Sequence, residues 1–91
     1  MTWENVLLKN TLTGHTGCVE SVDFANDSKL IVSASSDMSI RLWDWEKNKE
    51  IGKLIGHDGE VESAYFSPDN KYIISYFYYI LLIFDNSIAH N

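Results

Sequence analysis

Proline and cysteine are nearly absent from this 91-residue sequence, which contains one of each. A single cysteine, Cys18, cannot form an internal disulfide, so the sequence predicts a reduced compartment, the cytosol or alternatively the nucleus. Basic residues are also few, because seven Lys and Arg stand against 13 Asp and Glu and give a net charge of −6. A phosphate-binding surface needs clustered Lys and Arg, and these are scattered, so no nucleic-acid partner is expected.

The sequence also lacks a hydrophobic run long enough to cross a bilayer as a helix. Its longest apolar-rich stretch, residues 72–84, has 13 residues. A membrane-spanning helix needs about 20, so no membrane partner is expected. The composition, 45% hydrophobic and 22% charged, is ordinary for one small globular domain.

What the sequence does contain is an internal repeat. Gly14-His15 returns 42 positions later as Gly56-His57, and many other residues match at the same shift. The further matched pairs are Gly17 with Gly59, Val19 with Val61, Glu20 with Glu62, Ser21 with Ser63, Phe24 with Phe66, Asp27 with Asp69, Lys29 with Lys71, Ile31 with Ile73, and Ser33 with Ser75. So many matches at one spacing indicate a true repeat.

The shift then falls to 41 residues, because Trp43-Asp44 corresponds to Phe84-Asp85. The second copy has therefore lost one residue between Ser75 and Phe84. In each copy, short runs of apolar residues are separated by polar turns rich in Asn, Asp, Ser and Gly, and helical spacing is sustained nowhere. The pattern predicts an all-β chain with four short strands in each repeat.

Gly14-His15 followed by Trp43-Asp44, with Asp37 six positions before Trp43, resembles a WD40 repeat. The resemblance implies a β-propeller whose blades are four-stranded antiparallel sheets, here an incomplete propeller of about two blades. The four strands of the first blade would be residues 19–24, 30–35, 39–44 and 50–55. Two repeats cannot close a ring, so we expect either a fragment of a longer propeller or self-association through open blade edges.

The resemblance also divides the chain. Trp3-Glu4 stands where an earlier Trp-Asp would be, and Val6–Leu12 would follow it as an outer strand. The predicted units are residues 1–13 as the outer strand of a preceding blade, 14–55 as the first repeat, 56–85 as a degenerate partial second repeat, and 86–91 as a tail.

WD40 repeats imply a buried set of hydrogen bonds that holds the blade together. In this chain its members would be His15, Asp37, Ser33 or Ser35, and Trp43. A buried polar group without a partner costs about 1–3 kcal/mol, so such a set stabilises the fold. His, Asp and Ser also compose hydrolase triads, but the sequence has no nucleophile elbow and no oxyanion-hole motif. We therefore predict no catalytic residue, and no metal or other cofactor, since no Cys or carboxylate joins the histidines (His90 in the tail included) at ligand spacing.

The second repeat departs from the family pattern. Tyr78 or Tyr79 replaces the turn Asp, which would leave His57 without a carboxylate partner, and Phe84, which has no N–H, replaces the Trp. Residues 76–84 form an unbroken run of nine apolar or aromatic residues. The run fits a degenerate terminal repeat packed on a partner, or a frameshift or splice change. A membrane segment is disfavoured because the run is short and no Lys or Arg follows it.

Partner contacts in such proteins come from loops at one face of the propeller. The matching positions, with Asp58 added for its charge, are Cys18, Glu20, Ser36, Asp58, Glu60 and Glu62. These acidic residues would favour a basic protein or peptide, and the alternative is that they are solvated loop charges. The sequence thus predicts a non-catalytic scaffold segment for protein interaction; alternatively, the chain is a truncated or frameshifted fragment without independent function.

Overall fold

The computed structural model describes residues 6–56 and 58–86 of the chain as two antiparallel β-sheets. The first sheet has four strands in chain order, β1 (Val19–Phe24), β2 (Leu30–Ser35), β3 (Ile40–Asp44) and β4 (Lys49–Leu54). The second sheet has three strands in chain order, β5 (Ser63–Phe66), β6 (Tyr72–Phe77) and β7 (Ile80–Asp85). The predictions for Trp3-Glu4, His57 and His90 fall outside the described residues.

The first sheet follows the sequence prediction closely, and the all-β fold class is confirmed. β1 and β2 have the predicted bounds, β3 begins one residue later, and β4 lies one residue earlier. Chain reversals between these strands place Ser28, Met38 and Asn48 at positive φ, with values of 61°, 72° and 54°. No helix within the two described ranges is long and apolar enough to cross a membrane.

The 42-residue repeat of the sequence is also a repeat of turn structure. After β1, Asp27 Oδ1 accepts the backbone N–H of Lys29 at 3.0 Å. After β5, Asp69 Oδ1 accepts the backbone N–H of Lys71 at the same distance. An Asp side chain that bonds the backbone two residues ahead stabilises a turn locally, so both sheets begin with the same hairpin.

The segment Val6–Leu12, expected as the outer strand of a preceding blade, forms no strand within this chain, and its place in such a blade stays a prediction. Residues 6–18 contain no strand, and the Leu7 and Leu8 side chains are 81% and 86% exposed. A strand forms only against another strand that accepts and donates its backbone hydrogen bonds. The third strand of a preceding blade, against which residues 6–12 would pair, is not among the described residues.

The two sheets pack face to face through small and branched side chains, at what we call the shared interface. On the first sheet, Val32 is opposite Leu42 and Ala34 is opposite Ile40, so these four side chains lie on one face. They form a continuous buried cluster with three residues of the second repeat, Val61, Ala64 and Ile73. Burying a Val, Leu or Ile side chain stabilises a fold by about 1.5–3 kcal/mol, so this cluster is the core of the molecule.

Polar groups of β1 extend the shared interface to the backbone of β5. Ser21 Oγ accepts the N–H of Ala64 at 3.1 Å, and Asp23 Oδ2 accepts the N–H of Phe66 at 3.0 Å. A step of two residues along β1, from Ser21 to Asp23, corresponds to a step of two residues along β5, from Ala64 to Phe66. The two strands therefore lie side by side and run in the same direction. The corresponding ends of the two sheets therefore lie together.

Each sheet keeps a second face that the other sheet does not cover. The open face of the first sheet carries Val22, Phe24, Ile31 and Trp43, with Val22 and Phe24 63% and 56% exposed. The open face of the second sheet carries apolar and aromatic side chains that are all at least one-third exposed, namely Tyr65, Ile74, Tyr76, Leu81 and Ile83. Both faces are thus apolar surfaces without a partner sheet among the described residues.

Candidate functional site

A network of side-chain hydrogen bonds centred on His15 lies on the open face of the first sheet. His15 Nδ1 donates to Asp37 Oδ2 at 2.8 Å, and His15 Nε2 lies 2.6 Å from Ser33 Oγ. The indole N–H of Trp43 also donates to Ser33 Oγ, at 2.8 Å. Because the Ser33 oxygen accepts from Trp43, its hydroxyl proton is directed to His15. The structure thus brings His15, Ser33, Asp37 and Trp43 together.

Ser35, the other serine proposed for this set, has a different partner. Its Oγ accepts the backbone N–H of Asp37 at 3.0 Å. Ser35 is the last residue of β2, so its side chain reaches the turn that follows. Ser33 lies two residues earlier in β2, on the same face of the sheet as Trp43. The sequence could not choose between the two serines because both lie on the same face of one strand.

Asp37 organises the turn between β2 and β3. Its Oδ1 accepts the backbone N–H of Ser39 at 2.9 Å and the hydroxyl of Ser39 at 2.5 Å, while Oδ2 also accepts the N–H of Thr16 at 3.0 Å. Burial by itself would raise the pKa of Asp37, but the hydrogen bonds from Ser39, His15 and Thr16 together lower that pKa well below its usual range. The carboxylate is therefore ionised at neutral pH and ties residues 15–16 to the turn.

Two members of this network were missed in the sequence, Ser39 and Arg41. Arg41 Nε donates to Ser39 Oγ at 3.3 Å, and Arg41 Nη1 donates to Glu50 Oε1 at 2.6 Å. A signal was present, because Asp37, Ser39 and Arg41 alternate where β3 begins, and alternate residues of a strand point to one side. The glycine of Gly14-His15 also has a packing role, since a Cβ at Gly14 would lie 2.9 Å from Arg41 Nη1.

The second sheet has no equivalent of the Asp37 turn. Tyr78 and Tyr79 form a two-residue turn between Phe77 and Ile80, which pair as the ends of β6 and β7. Tyr78 adopts a positive φ of 52°, which a non-glycine residue rarely does outside turns. In the first sheet the corresponding residues, Ser35 and Ser39, enclose a turn of three residues, 36–38. The residue missing from the second repeat is therefore missing from this turn.

The predicted partner-contact residues lie at one end of the two sheets, which we call the loop surface. Ser36 Oγ accepts the N–H of Cys18 at 2.8 Å, and Cys18 O accepts the N–H of Ser36 at 3.0 Å. Ser35 O accepts the N–H of Val61 at 3.1 Å, which brings the loop before β5 to the same end. Among the six, Ser36 is half-buried and five are exposed: Cys18, Glu20, Asp58, Glu60 and Glu62.

Besides the six predicted residues, the loop surface contains an aromatic turn from the run 76–84, for which packing on a partner was one expectation. The Tyr79 side chain is fully exposed and Tyr78 is 73% exposed. Gly59 packs closely against the Phe77 ring, where a Cβ would not fit, so the acidic loop 58–62 lies beside this turn. In the described parts of the chain, no three His, Cys, Asp or Glu side chains are grouped in a way that could hold a metal ion.

The family model described as WD domain, G-beta repeat matches residues 7–44 and 48–77 of this chain. The chain belongs to the WD40-repeat family. It is 46% identical over 41 residues to the Lissencephaly-1 homolog of Dictyostelium discoideum, an alignment that covers 45% of this chain and 10% of that protein. It is 49% identical over 43 residues to nuclear distribution protein nudF of Aspergillus flavus, covering 45% and 10%.

Over 41 residues the chain is also 46% identical to eukaryotic translation initiation factor 3 subunit I of Xenopus tropicalis, covering 45% of this chain and 13% of that protein. The matched segment thus spans about a tenth of the length of these relatives. WD40 repeats generally mediate interactions between proteins, and the WD40 resemblance inferred from Gly14-His15 and Trp43-Asp44 is confirmed.

Proposed function

We propose that this chain is a non-catalytic scaffold segment that binds a protein or peptide through the loop surface. The observation that carries the proposal is the gathering of exposed, mostly acidic side chains at one end of two sheets. The Asp37 network lies directly beneath them and fixes the backbone of residues 15–16 and 36–39. A preorganised loop surface binds with a smaller loss of conformational entropy than a mobile one.

The charge of the loop surface favours a basic partner. Glu20, Asp58, Glu60 and Glu62 are all exposed, and the chain as a whole carries a net charge of −6. Complementary charge steers encounter and selects against acidic partners more than it adds affinity. Tyr79 adds an exposed ring on which a Lys or Arg side chain can stack.

A hydrolase role for His15, Asp37 and Ser33 is disfavoured by their burial. Ser33 is only 3% exposed, and the side chains of His15 and Asp37 are each 6% exposed. The Ser33 oxygen already accepts the Trp43 N–H at 2.8 Å, so it is engaged as an acceptor within the network. We therefore assign these three residues a structural role within the proposal.

The test compares binding of a labelled Lys- and Arg-rich peptide with binding of an Asp- and Glu-rich peptide of equal length. We expect only the basic peptide to bind, with an affinity that weakens as salt is added. Glu60→Gln should raise Kd by about two- to fivefold, the range of one exposed ion pair. The matched control is Glu46→Gln, an exposed carboxylate in the turn between β3 and β4 at the opposite end of the first sheet. Equal binding of both peptides, or of neither, would count against the proposal.

The alternative is a truncated or frameshifted propeller fragment without independent function. The two-residue Tyr78-Tyr79 turn and the Phe84 position favour it, because both depart from the first repeat. Downstream DNA that encodes further Gly-His and Trp-Asp units in another frame would support this alternative. The cytosolic location, with the nucleus as the alternative, stays a prediction from the single cysteine.

A further inference from the structure

The two sheets differ by one strand, and the chain also contains one segment with strand-like sequence that is unpaired. β4 completes the first sheet, whereas the outer edge of β7 has no partner strand within residues 6–56 and 58–86. Residues 6–12 belong to neither sheet and expose Val6, Leu7 and Leu8. An unpaired strand edge presents free N–H and C=O groups to any strand that fits it.

The connectivity of the chain indicates the sheet that residues 6–12 can complete. β4 ends at Leu54, just before Gly56, yet it pairs with β3 and so belongs to the sheet that precedes that glycine. Residues 6–12 stand before Gly14 in the same way, with Leu12 at the position of Leu54. By the same connectivity, residues 6–12 would complete a sheet that packs on the open face of the first sheet.

We propose that a second copy of this chain completes the second sheet. Residues 6–12 of one copy add to β7 of another as its fourth strand, and the open face of the first sheet in the donor packs on the open face of the second sheet in the acceptor. The arrangement repeats the relation between the two sheets of one chain. It is independent of peptide binding at the loop surface.

The register of the added strand follows from the register of β3 with β4. In the first sheet the pairs are Ile40 with Leu54, Leu42 with Gly52, Trp43 with Glu50, and Asp44 with Lys49. Applying the shifts of 41 and 42 residues gives the expected pairs between copies, which are Leu81 with Leu12, Ile83 with Asn10, Phe84 with Leu8, and Asp85 with Leu7. Leu12 is already placed for this role, since it lines a hollow of about 370 Å³ on the open face of its own first sheet.

The two open faces correspond to the two sides of the shared interface. Ser63 repeats Ser21, whose hydroxyl accepts a β5 amide, and Ile74 and Ile83 repeat Val32 and Leu42. Two positions carry larger side chains, because Tyr65 corresponds to Asp23 and Tyr76 to Ala34. The hollow, which is also lined by Val22, Phe24 and Trp43, lies on the face against which these rings would pack. Such a contact joins unlike faces, so it continues from copy to copy as a ring or a filament.

The test replaces Leu7 and Leu8 together by proline and follows mass against concentration by sedimentation and light scattering. Proline removes the N–H and cannot occupy a paired strand interior, and two consecutive replacements include the residue whose N–H faces β7. Both side chains are exposed in the single copy, so the far-UV circular dichroism of the dilute chain should not change. We expect the wild type to form discrete oligomers and the proline variant to associate at least about tenfold more weakly.

The matched control is Leu7→Ala with Leu8→Ala, which removes the same apolar side chains but keeps both N–H groups. It should associate more strongly than the proline variant. A wild type that is monomeric throughout, or a proline variant that associates like the alanine control, overturns the proposal. Leu7 and Leu8 would pair near Asp85, at the end of the second sheet away from the loop surface, so loss of association and loss of peptide binding are distinguishable.

Disulfide trapping tests the register in a Cys18→Ser background. Leu12→Cys combined with Leu81→Cys places the two Cβ atoms at facing positions of neighbouring strands, where a disulfide can form with little distortion. We expect a ladder of covalently linked copies after mild oxidation. Thr11→Cys with Leu81→Cys should not give the ladder, because adjacent residues of a strand point to opposite faces. Equal trapping by both pairs contradicts the register.

Discussion

The first and second sheets share the order of their first three strands and the geometry of their first turn, but the Asp37 turn with its polar network belongs to the first sheet. In the second sheet, Tyr78-Tyr79 replaces the Asp37 turn and Phe84 replaces Trp43, yet β6 and β7 still pair at six positions. The hairpin of β6 and β7 therefore forms without the turn carboxylate and without the indole. What the network adds in the first sheet is a link between residues 15–16 and the turn at 36–39, which fixes the position of the loops.

The sheets also differ in what covers corresponding side chains, and this contrast gives the largest expected effect. Leu42 is 2% exposed at the shared interface, whereas Ile83, at the same position of the second sheet, is 70% exposed. Leu42→Ala should lower the free energy of unfolding by about 2–5 kcal/mol, because it leaves a cavity in the core. Ile83→Ala should change it by less than about 0.5 kcal/mol in the dilute, dissociated chain. Urea unfolding of both variants at one concentration measures the difference, and similar losses would show that the two faces are equivalent.

Removal of the Asp37 carboxylate should give the next largest effect. Asp37→Ala leaves His15 Nδ1 and two backbone amides without their acceptor, which predicts a loss of about 1–3 kcal/mol in the free energy of unfolding. The control is Glu46→Ala, which removes an exposed carboxylate in the turn between β3 and β4 and should leave the urea midpoint nearly unchanged. An unchanged midpoint for Asp37→Ala would mean that the network does not stabilise the first sheet.

The low pKa of Asp37 predicts a pH dependence of stability. A carboxyl whose pKa is lower in the folded than in the unfolded chain stabilises the fold above the unfolded pKa, and this stabilisation is lost as pH falls through the folded pKa. Urea midpoints of the wild type should therefore fall progressively from about pH 4 downward, the ordinary range for an Asp. Asp37→Asn should be less stable at neutral pH and should lose part of this slope. An unchanged slope in that variant would assign the acid sensitivity to other carboxylates.

The ion pair at the edge of the network should have the smallest effect. Arg41 Nη1 lies 2.6 Å from Glu50 Oε1, but the Glu50 side chain is 33% exposed and therefore partly hydrated. A double-mutant cycle of Arg41→Met and Glu50→Gln should give a coupling energy of about 0.2–1 kcal/mol. A larger coupling would place Glu50 within the network that holds Asp37.

Apolar runs separated by polar turns predicted four short strands per repeat, because each strand pattern and its turn residues lie close together in the chain. The WD40 resemblance implied the bounds of the strands in the first sheet to within one residue. His15, Ser33, Asp37 and Trp43 were also identified, through the spacing of a known repeat. Ser39 and Arg41 were missed because their roles depend on where Asp37 directs its carboxylate oxygens, which spacing does not encode. The strand expected at Val6–Leu12 is not paired within the single chain, because a strand-like sequence does not specify whether a partner edge is present.

The amino-acid sequence by itself determined the 42-residue repeat, the alternation that makes strands, and the donors and acceptors available for the Asp37 network. These follow from local spacing and side-chain chemistry. Only the tertiary structure decided that Ser33 rather than Ser35 bonds His15, and that Leu42 is buried while Ile83 is exposed. It also decided that the outer edge of β7 and residues 6–12 each lack a partner strand among the described residues. The reason is physical: hydrogen-bond partners and burial depend on which edges and faces meet in space, and identical local patterns can meet different neighbours.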